Sequence, residues 1–182
     1  MNIPGWNWDI TPWQKQFAPR IPPGGTYLEV GVFLGASLAT MGELRGDIQL
    51  IAVDPWIDAP DPPGWCGVSE FADAVKPHGS LFRAFLHYMT SNAPGVLDRT
   101  RIIRGTAKTV TLHSSVDMLF IDGDHSEQAV TDDLMAFAPL VKPGGIIAGH
   151  DYHVNAPGVI AAVDAYFDMK PNTLESVWWF KV

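Results

Sequence analysis

An α/β fold, with a mostly parallel sheet carrying helices on both faces, is what these 182 residues predict. Three observations lead there. Short apolar runs alternate with runs of helical period, the rhythm of successive βαβ units. Several apolar runs stop at Gly or Asp, the residues that occupy loops at strand carboxyl ends in such folds. The composition, 47% hydrophobic and 18% charged, suits a chain that buries one core.

The elements follow in order. A first strand spans Thr26 to Val30 and stops at Gly31. Leu38, Met41 and Leu44 share one helix face, and Gly46 lies just past its end. A second strand runs from Ile48 to Val53 and stops at Asp54-Pro55. A helical pattern over Ser80 to Thr90 precedes a third strand, Arg101 to Arg104. The fourth strand, Val116 to Ile121, stops at Asp122-Gly123. Val130, Leu134 and Phe137 mark the next helix, closed by Lys142-Pro143-Gly144-Gly145. A fifth strand covers Ile146 to Ala148. Pro157-Gly158 opens a helix with Ile160, Val163 and Phe167 inward, and Val177 to Lys181 is a last strand. Only this one strand is legible after the fifth.

Two stretches interrupt the rhythm. Residues 1–24 form an aromatic, proline-rich arm with Trp6, Trp8 and Trp13, leaving residues 25–182 as the domain proper. Residues 55–79, again proline-rich, hold Trp56, Trp65 and Phe71. A long insertion at a strand's carboxyl end reads as a lid over a binding site. Its aromatic residues have two readings, a pocket lining or the packing that seats the insertion.

Bulk properties exclude several classes. The net charge of -8 opposes a phosphate-tracking groove, so nucleic acid is not an expected partner. No apolar run reaches membrane-spanning length, and the first residues lack Lys or Arg, so a cytoplasmic location is expected, with no membrane partner. Cys66 is the single cysteine, which leaves no intrachain disulfide.

The strongest local signal is Tyr27-Leu-Glu-Val-Gly-Val-Phe-Leu-Gly-Ala-Ser37, between a strand and a helix. Gly31 permits a tight turn with close approach to a ligand, and Gly35 permits tight packing of the helix. Glu29 stands just before the turn, where it would repel a pyrophosphate and suit a cation. S-adenosylmethionine, with its sulfonium and ammonium, is such a ligand. Asp54, ending the second strand, could accept ribose hydroxyls, and Gly105-Thr106-Ala107 falls where such folds border the adenine.

A second set converges at neighbouring strand ends. Asp122 and His125 follow the fourth strand, and His150 and Asp151 the fifth. Asp122, His150 and Asp151, with waters and a substrate oxygen, could hold a divalent metal, and an imidazole favours manganese, iron or zinc over magnesium. The alternative is no metal, with His150 in acid–base work. His125 could take a proton from a substrate hydroxyl, against a bland role as a helix-opening residue beside Asp124 or Ser126. Asp132 and Asp133 read as a solvated helix face, and His78, His87 and His113 as structural. Asp61-Pro62-Pro63-Gly64 is similar to a motif of amino-group DNA methylation, but it lies in the insertion and ends in glycine, so it is rejected.

Together, Tyr27 to Ser37, Asp117 to Ser126 and Pro143 to Tyr152 resemble the class I S-adenosylmethionine-dependent methyltransferases, of the methyltransferase domain 24 type. Catechol and macrolide-sugar O-methyltransferases are related to this group. The resemblance covers roughly Gly25 to Phe167. It implies a Rossmann-like methyltransferase fold and S-adenosylmethionine as cofactor. It also implies a small-molecule hydroxyl as acceptor, with Asp122, His150 and Asp151 at the family's metal-ligand positions (Mg, Mn or another ion). His150 stands where the family has an acid, and His125 where the catechol enzyme has its catalytic lysine. Catalysis would fall to His125, Asp122 and His150. Cofactor binding would fall to Glu29, Gly31, Gly35, Ser37, Asp54, Gly105, Thr106, Ala107 and Asp122. Two rivals remain, a nicotinamide-dependent oxidoreductase and a non-catalytic S-adenosylmethionine-binding protein. The acceptor and the oligomeric state, a homodimer among the options, are not legible.

Overall fold

The computed structural model describes residue 3, residues 11–57, residue 73 and residues 75–182. Most of the proposed lid, with Trp65 and Phe71, lies outside the described residues, as do Trp6 and Trp8.

Strands β1 (Thr26–Val30), β2 (Gln49–Asp54), β3 (Thr100–Arg104), β4 (Val116–Ile121), β5 (Val141–Gly149), β6 (Asn172–Leu174) and β7 (Val177–Lys181) form one sheet, ordered β3-β2-β1-β4-β5-β7-β6. The first five run parallel, and β7 pairs antiparallel with both β5 and β6. This is the expected mostly parallel sheet. It also corrects one expectation: the last strand is half of a hairpin. Asn172–Leu174 escapes a pattern reading because its residues are exposed or half-buried and show no apolar run.

Alternation along the strands divides the core. Tyr27, Leu50, Ala52, Met118 and Phe120 face one layer with Leu38, Phe85 and Met89 of helices α1 (Ala36–Leu44) and α2 (Leu81–Asn92). The short α3 (Pro94–Leu97) adds Val96 there. Leu28, Val30, Val53, Leu119 and Ile121 face the other layer, under Leu134 and Phe137 of α4 (Glu127–Phe137) and Val163 of α5 (Pro157–Phe167). Period-two alternation on a sheet covered on both sides requires apolar residues at every position, which is why these strands read as continuous apolar runs.

The arm is part of the first layer. Trp13, Phe17 and Ile21 are all buried. The Trp13 ring packs 5.1 Å from Phe120, and Phe17 packs 6.0 Å from Trp179. Arg45 ties the arm down by donating to the carbonyls of Ile21 and Pro22.

Asp133 departs from the solvated face expected of it. Only 8% of it is exposed, and burial, with the charges of Asp132 and Asp124, raises its pKa to about 7. Asp132 does face outward, paired with Lys108 at 3.0 Å. His78 and His87 stack on each other at 4.3 Å.

Candidate active site

Register assembles the site. Val53 pairs with Val30, Val30 with Ile121, and Ile121 with Gly149. The next residue on each of these four adjacent strands is therefore Asp54, Gly31, Asp122 and His150, set in one row. The row crosses the boundary between β1 and β4, where the strand order reverses and ligands bind in open α/β sheets.

The glycine loop is built to meet β4. Gly31 has φ 82°, and a Cβ on it would lie 2.2 Å from the Asp122 carbonyl oxygen. Its close approach is thus to the end of the neighbouring strand, β4. Gly35, φ 91°, lies against α2, where a Cβ would meet Met89 Sδ at 2.6 Å, so its packing role matches the expectation. Phe33, Trp56 and Asp151 all have positive φ, at 51°, 41° and 61°. Three strained non-glycine residues following β1, β2 and β5 mark a place where the fold holds the backbone against local preference.

Asp54 secures this loop. Its Oδ2 accepts the N–H groups of Val32 (2.8 Å) and Phe33 (2.9 Å), and its Oδ1 accepts that of Trp56 (2.6 Å). The Trp56 indole N–H donates in turn to the Phe33 carbonyl (2.9 Å), and its buried ring packs 4.7 Å from Phe85. Trp56 is therefore a staple between two loops. Asp54 thus holds the backbone of both loops that meet at this strand end. Asp54→Ala should lower stability by roughly 2–4 kcal/mol, because three N–H groups lose a charged acceptor. Chemical denaturation checks this; unchanged stability would remove the anchoring role. Gly105 donates its N–H to the Asp54 carbonyl, placing Gly105, Thr106 and Ala107 beside this loop.

Glu29 is fully buried. Its oxygens accept the hydroxyls of Tyr27 (2.7 Å) and Ser37 (2.6 Å), so both Glu29 and Ser37 are engaged inside the domain. Burial raises the Glu29 pKa to about 7, although the two hydroxyl bonds pull it down. A folded pKa above the unfolded one makes Glu29 harmless below about pH 4.5. The penalty grows as pH rises and levels off above about 7. Relative to Glu29→Gln, the wild type should lose about 3 kcal/mol across that window. Denaturant melts of both proteins at pH 5 and pH 8 give the comparison; a constant difference would contradict it. A cation bound nearby would favour the ionised form and offset the penalty.

The second cluster centres on Asp151. Its Oδ2 accepts from His125 Nε2 (2.9 Å) and His150 Nδ1 (3.0 Å), and its Oδ1 from His153 Nε2 (2.9 Å). Burial alone would raise its pKa, but the bonds from His125 and His150 hold the carboxyl well below its usual range. His153 Nδ1 accepts the Asn155 N–H (3.2 Å), which fixes that ring. Asp122 is the opposite case. Burial, then the charges of Asp151 and Glu29, push its pKa well up. Its Oδ1 is 3.9 Å from His150 Nδ1.

The opening of α4 leaves His125 without a capping duty. Ser126 caps the helix by accepting the Ala129 N–H, and Asp124 Oδ1 accepts the Ser126 N–H. The ligand atoms of Asp122, His125 and Asp151 lie within 4.8 Å of one another, and His150 Nδ1 adjoins both carboxylates. Carboxylates and imidazoles at such separations fit a divalent ion, whose charge would relieve Asp122. Sequence reasoning placed Asp122, His125, His150 and Asp151 together. It missed His153, whose only signal was its spacing from Asp151. It also missed Ser176, which lies 2.8 Å from His150 Nε2 and has no local signal.

A family model described as a methyltransferase domain matches residues 28–152. An uncharacterized protein of Acanthamoeba polyphaga mimivirus is 31% identical over 142 residues, 76% of this chain and 58% of the viral protein. The chain therefore spans less than two thirds of that relative. The O-methyltransferase NovP superposes with a TM-score of 0.59 at 19% identity, over 90% of this chain and 73% of that one. CalS11, a TDP-rhamnose 3'-O-methyltransferase of calicheamicin biosynthesis, gives 0.59 at 18% identity, over 90% and 74%. A putative rRNA methylase from Clostridium thermocellum gives 0.58 at 12% identity, over 90% and 91%. These structural likenesses establish the fold, Rossmann-like with a mostly parallel sheet. No helix among the described residues is long and apolar enough to cross a membrane.

Proposed function

Since the chain belongs to the methyltransferase-domain family, we propose that it transfers a methyl group from S-adenosylmethionine to the hydroxyl oxygen of a small molecule. The observation that carries this reading is the contact between the glycine loop and the Asp122–His125 segment, with His125 held by Asp151. A cofactor loop and an acid–base group thereby share one crevice.

S-adenosylmethionine supplies the methyl group as an activated sulfonium. The buried carboxyls of Glu29 and Asp54 and the partly buried one of Asp122, at the ends of β1, β2 and β4, suit its positive charges. They oppose the pyrophosphate of a nicotinamide cofactor. Asp54, at the end of β2, is the carboxylate placed to meet the ribose hydroxyls. His125, whose Nε2 lies 2.9 Å from Asp151 Oδ2, is the group that takes the acceptor's proton, with the carboxylate stabilising the imidazolium that forms. As the C–O bond forms, the S–C bond breaks, and the sulfonium becomes a neutral thioether. Asp151 and His150 orient His125 and the acceptor, and alignment supplies much of the acceleration.

Asp122, Asp151 and His150 would hold a divalent ion, which when bound polarises the acceptor oxygen. The His150 imidazole suits manganese, iron or zinc better than magnesium. The solution state, including a homodimer, and a cytoplasmic location go with this reading as proposals.

The experiment is a screen of phenolic and sugar hydroxyl acceptors, with S-adenosylhomocysteine as the readout. Product from at least one acceptor is expected. Turnover should fall after chelation, and manganese should restore it at least as well as magnesium. Cofactor binding without product from any acceptor would favour the non-catalytic reading, and full turnover in metal-stripped protein would remove the ion.

A further inference from the structure

The β6–β7 hairpin is remote in sequence from both motifs, yet it reaches the site. Its turn is two residues long, Glu175 and Ser176, and Glu175 takes a φ of 55°. Three hydrogen bonds clamp the hairpin to the end of β5. The Tyr152 N–H donates to the Ser176 carbonyl (2.9 Å), and the Trp178 indole N–H donates to the His150 carbonyl (3.2 Å). Ser176 Oγ lies 2.8 Å from His150 Nε2. Gly149 makes the approach possible, since a Cβ there would lie 2.6 Å from the Trp178 ring.

His150 is therefore gripped at both nitrogens, by Ser176 outside and by Asp151 at Nδ1 inside. A carboxylate only accepts, so Nδ1 carries a proton, and the neutral ring has its lone pair on Nε2. A hydroxyl satisfies that lone pair. Because a hydroxyl rotates, it would accept from Nε2–H instead if a cation took the place of the Nδ1 proton. An apolar side chain could do neither.

We infer that Ser176 is a positioning residue, holding the His150 ring so that Nδ1 stays directed at Asp151 and Asp122. Its catalytic consequence rests on the methyl transfer proposed above; the ring geometry does not. The test uses the full chain with ¹⁵N-labelled histidine, and long-range proton–nitrogen spectra assigned through His150→Gln. Wild-type His150 should show one tautomer, protonated at Nδ1. Ser176→Ala should give averaged nitrogen signals, and Ser176→Thr should restore the wild-type pattern. Ser176→Val differs from Thr by the hydroxyl alone, so this pair decides the matter even if the alanine variant is unstable. Val should behave as Ala.

In turnover, loss of the hydroxyl should lower kcat by about 10- to 100-fold, the scale for such outer partners, with KM for S-adenosylmethionine unchanged and Thr restoring the rate. Identical His150 spectra in the Thr and Val variants would overturn the inference, as would equal rates in an active protein. Covalent labelling of Ser176 by a fluorophosphonate would also overturn it, by showing a nucleophile. If wild type methylates nothing, the spectra still decide the ring's geometry, so the two failures are distinct.

Discussion

His125→Ala should reduce the rate of methyl transfer by roughly 10²–10⁴, the range for loss of a general base. Affinity for S-adenosylmethionine should stay within a few-fold, because His125 follows β4 on the acceptor side, whereas Asp54 and the glycine loop follow β2 and β1. Helix α4 should survive, since its cap is Ser126. An acceptor with a more acidic hydroxyl, already ionised at the assay pH, should recover much of the lost rate. The decisive measurement is kcat against acceptor acidity for both proteins. If His125→Ala keeps its rate and loses stability instead, the residue is structural, and His150 becomes the next candidate for the base.

Asp151→Asn tests the hub of the same cluster. Asn tolerates the left-handed backbone that Asp151 adopts at φ 61°, so the loop should keep its path. The amide has one acceptor oxygen where the carboxylate has two, and three imidazoles donate to that carboxylate. At least one ring must turn or change tautomer. In a serine protease the equivalent Asp-to-Asn change lowers kcat by about 10⁴ through the wrong tautomer, and a loss of roughly 10²–10⁴ is expected here. Stability measured in parallel should fall much less than the rate. A variant within three-fold of wild type would exclude Asp151 from the chemistry.

The strands that carry the site were legible because each is covered on both faces. Val116 to Ile121 and Thr26 to Val30 read as apolar runs with definite ends, and those ends match the structure. Asn172–Leu174 was not legible, because an edge strand of three residues buries almost nothing. Asp133 was misread because a single acid inside a helix does not reveal which face the helix buries.

The segments Tyr27 to Ser37, Asp117 to Ser126 and Pro143 to Tyr152 determined the family resemblance and the kind of chemistry, since strand ends must supply the ligand groups in this fold. What each carboxylate does was decided by tertiary structure. Asp54 anchors backbone, Glu29 is sealed under two hydroxyls, Asp151 gathers three imidazoles, and Asp122 is left with a raised pKa. The reason is physical. A carboxylate's role follows from how many donors reach it and how much water is excluded, and those donors come from distant segments. Ser176 shows this most plainly, since 26 residues separate it from His150 and only the pairing of β7 with β5 brings the two together.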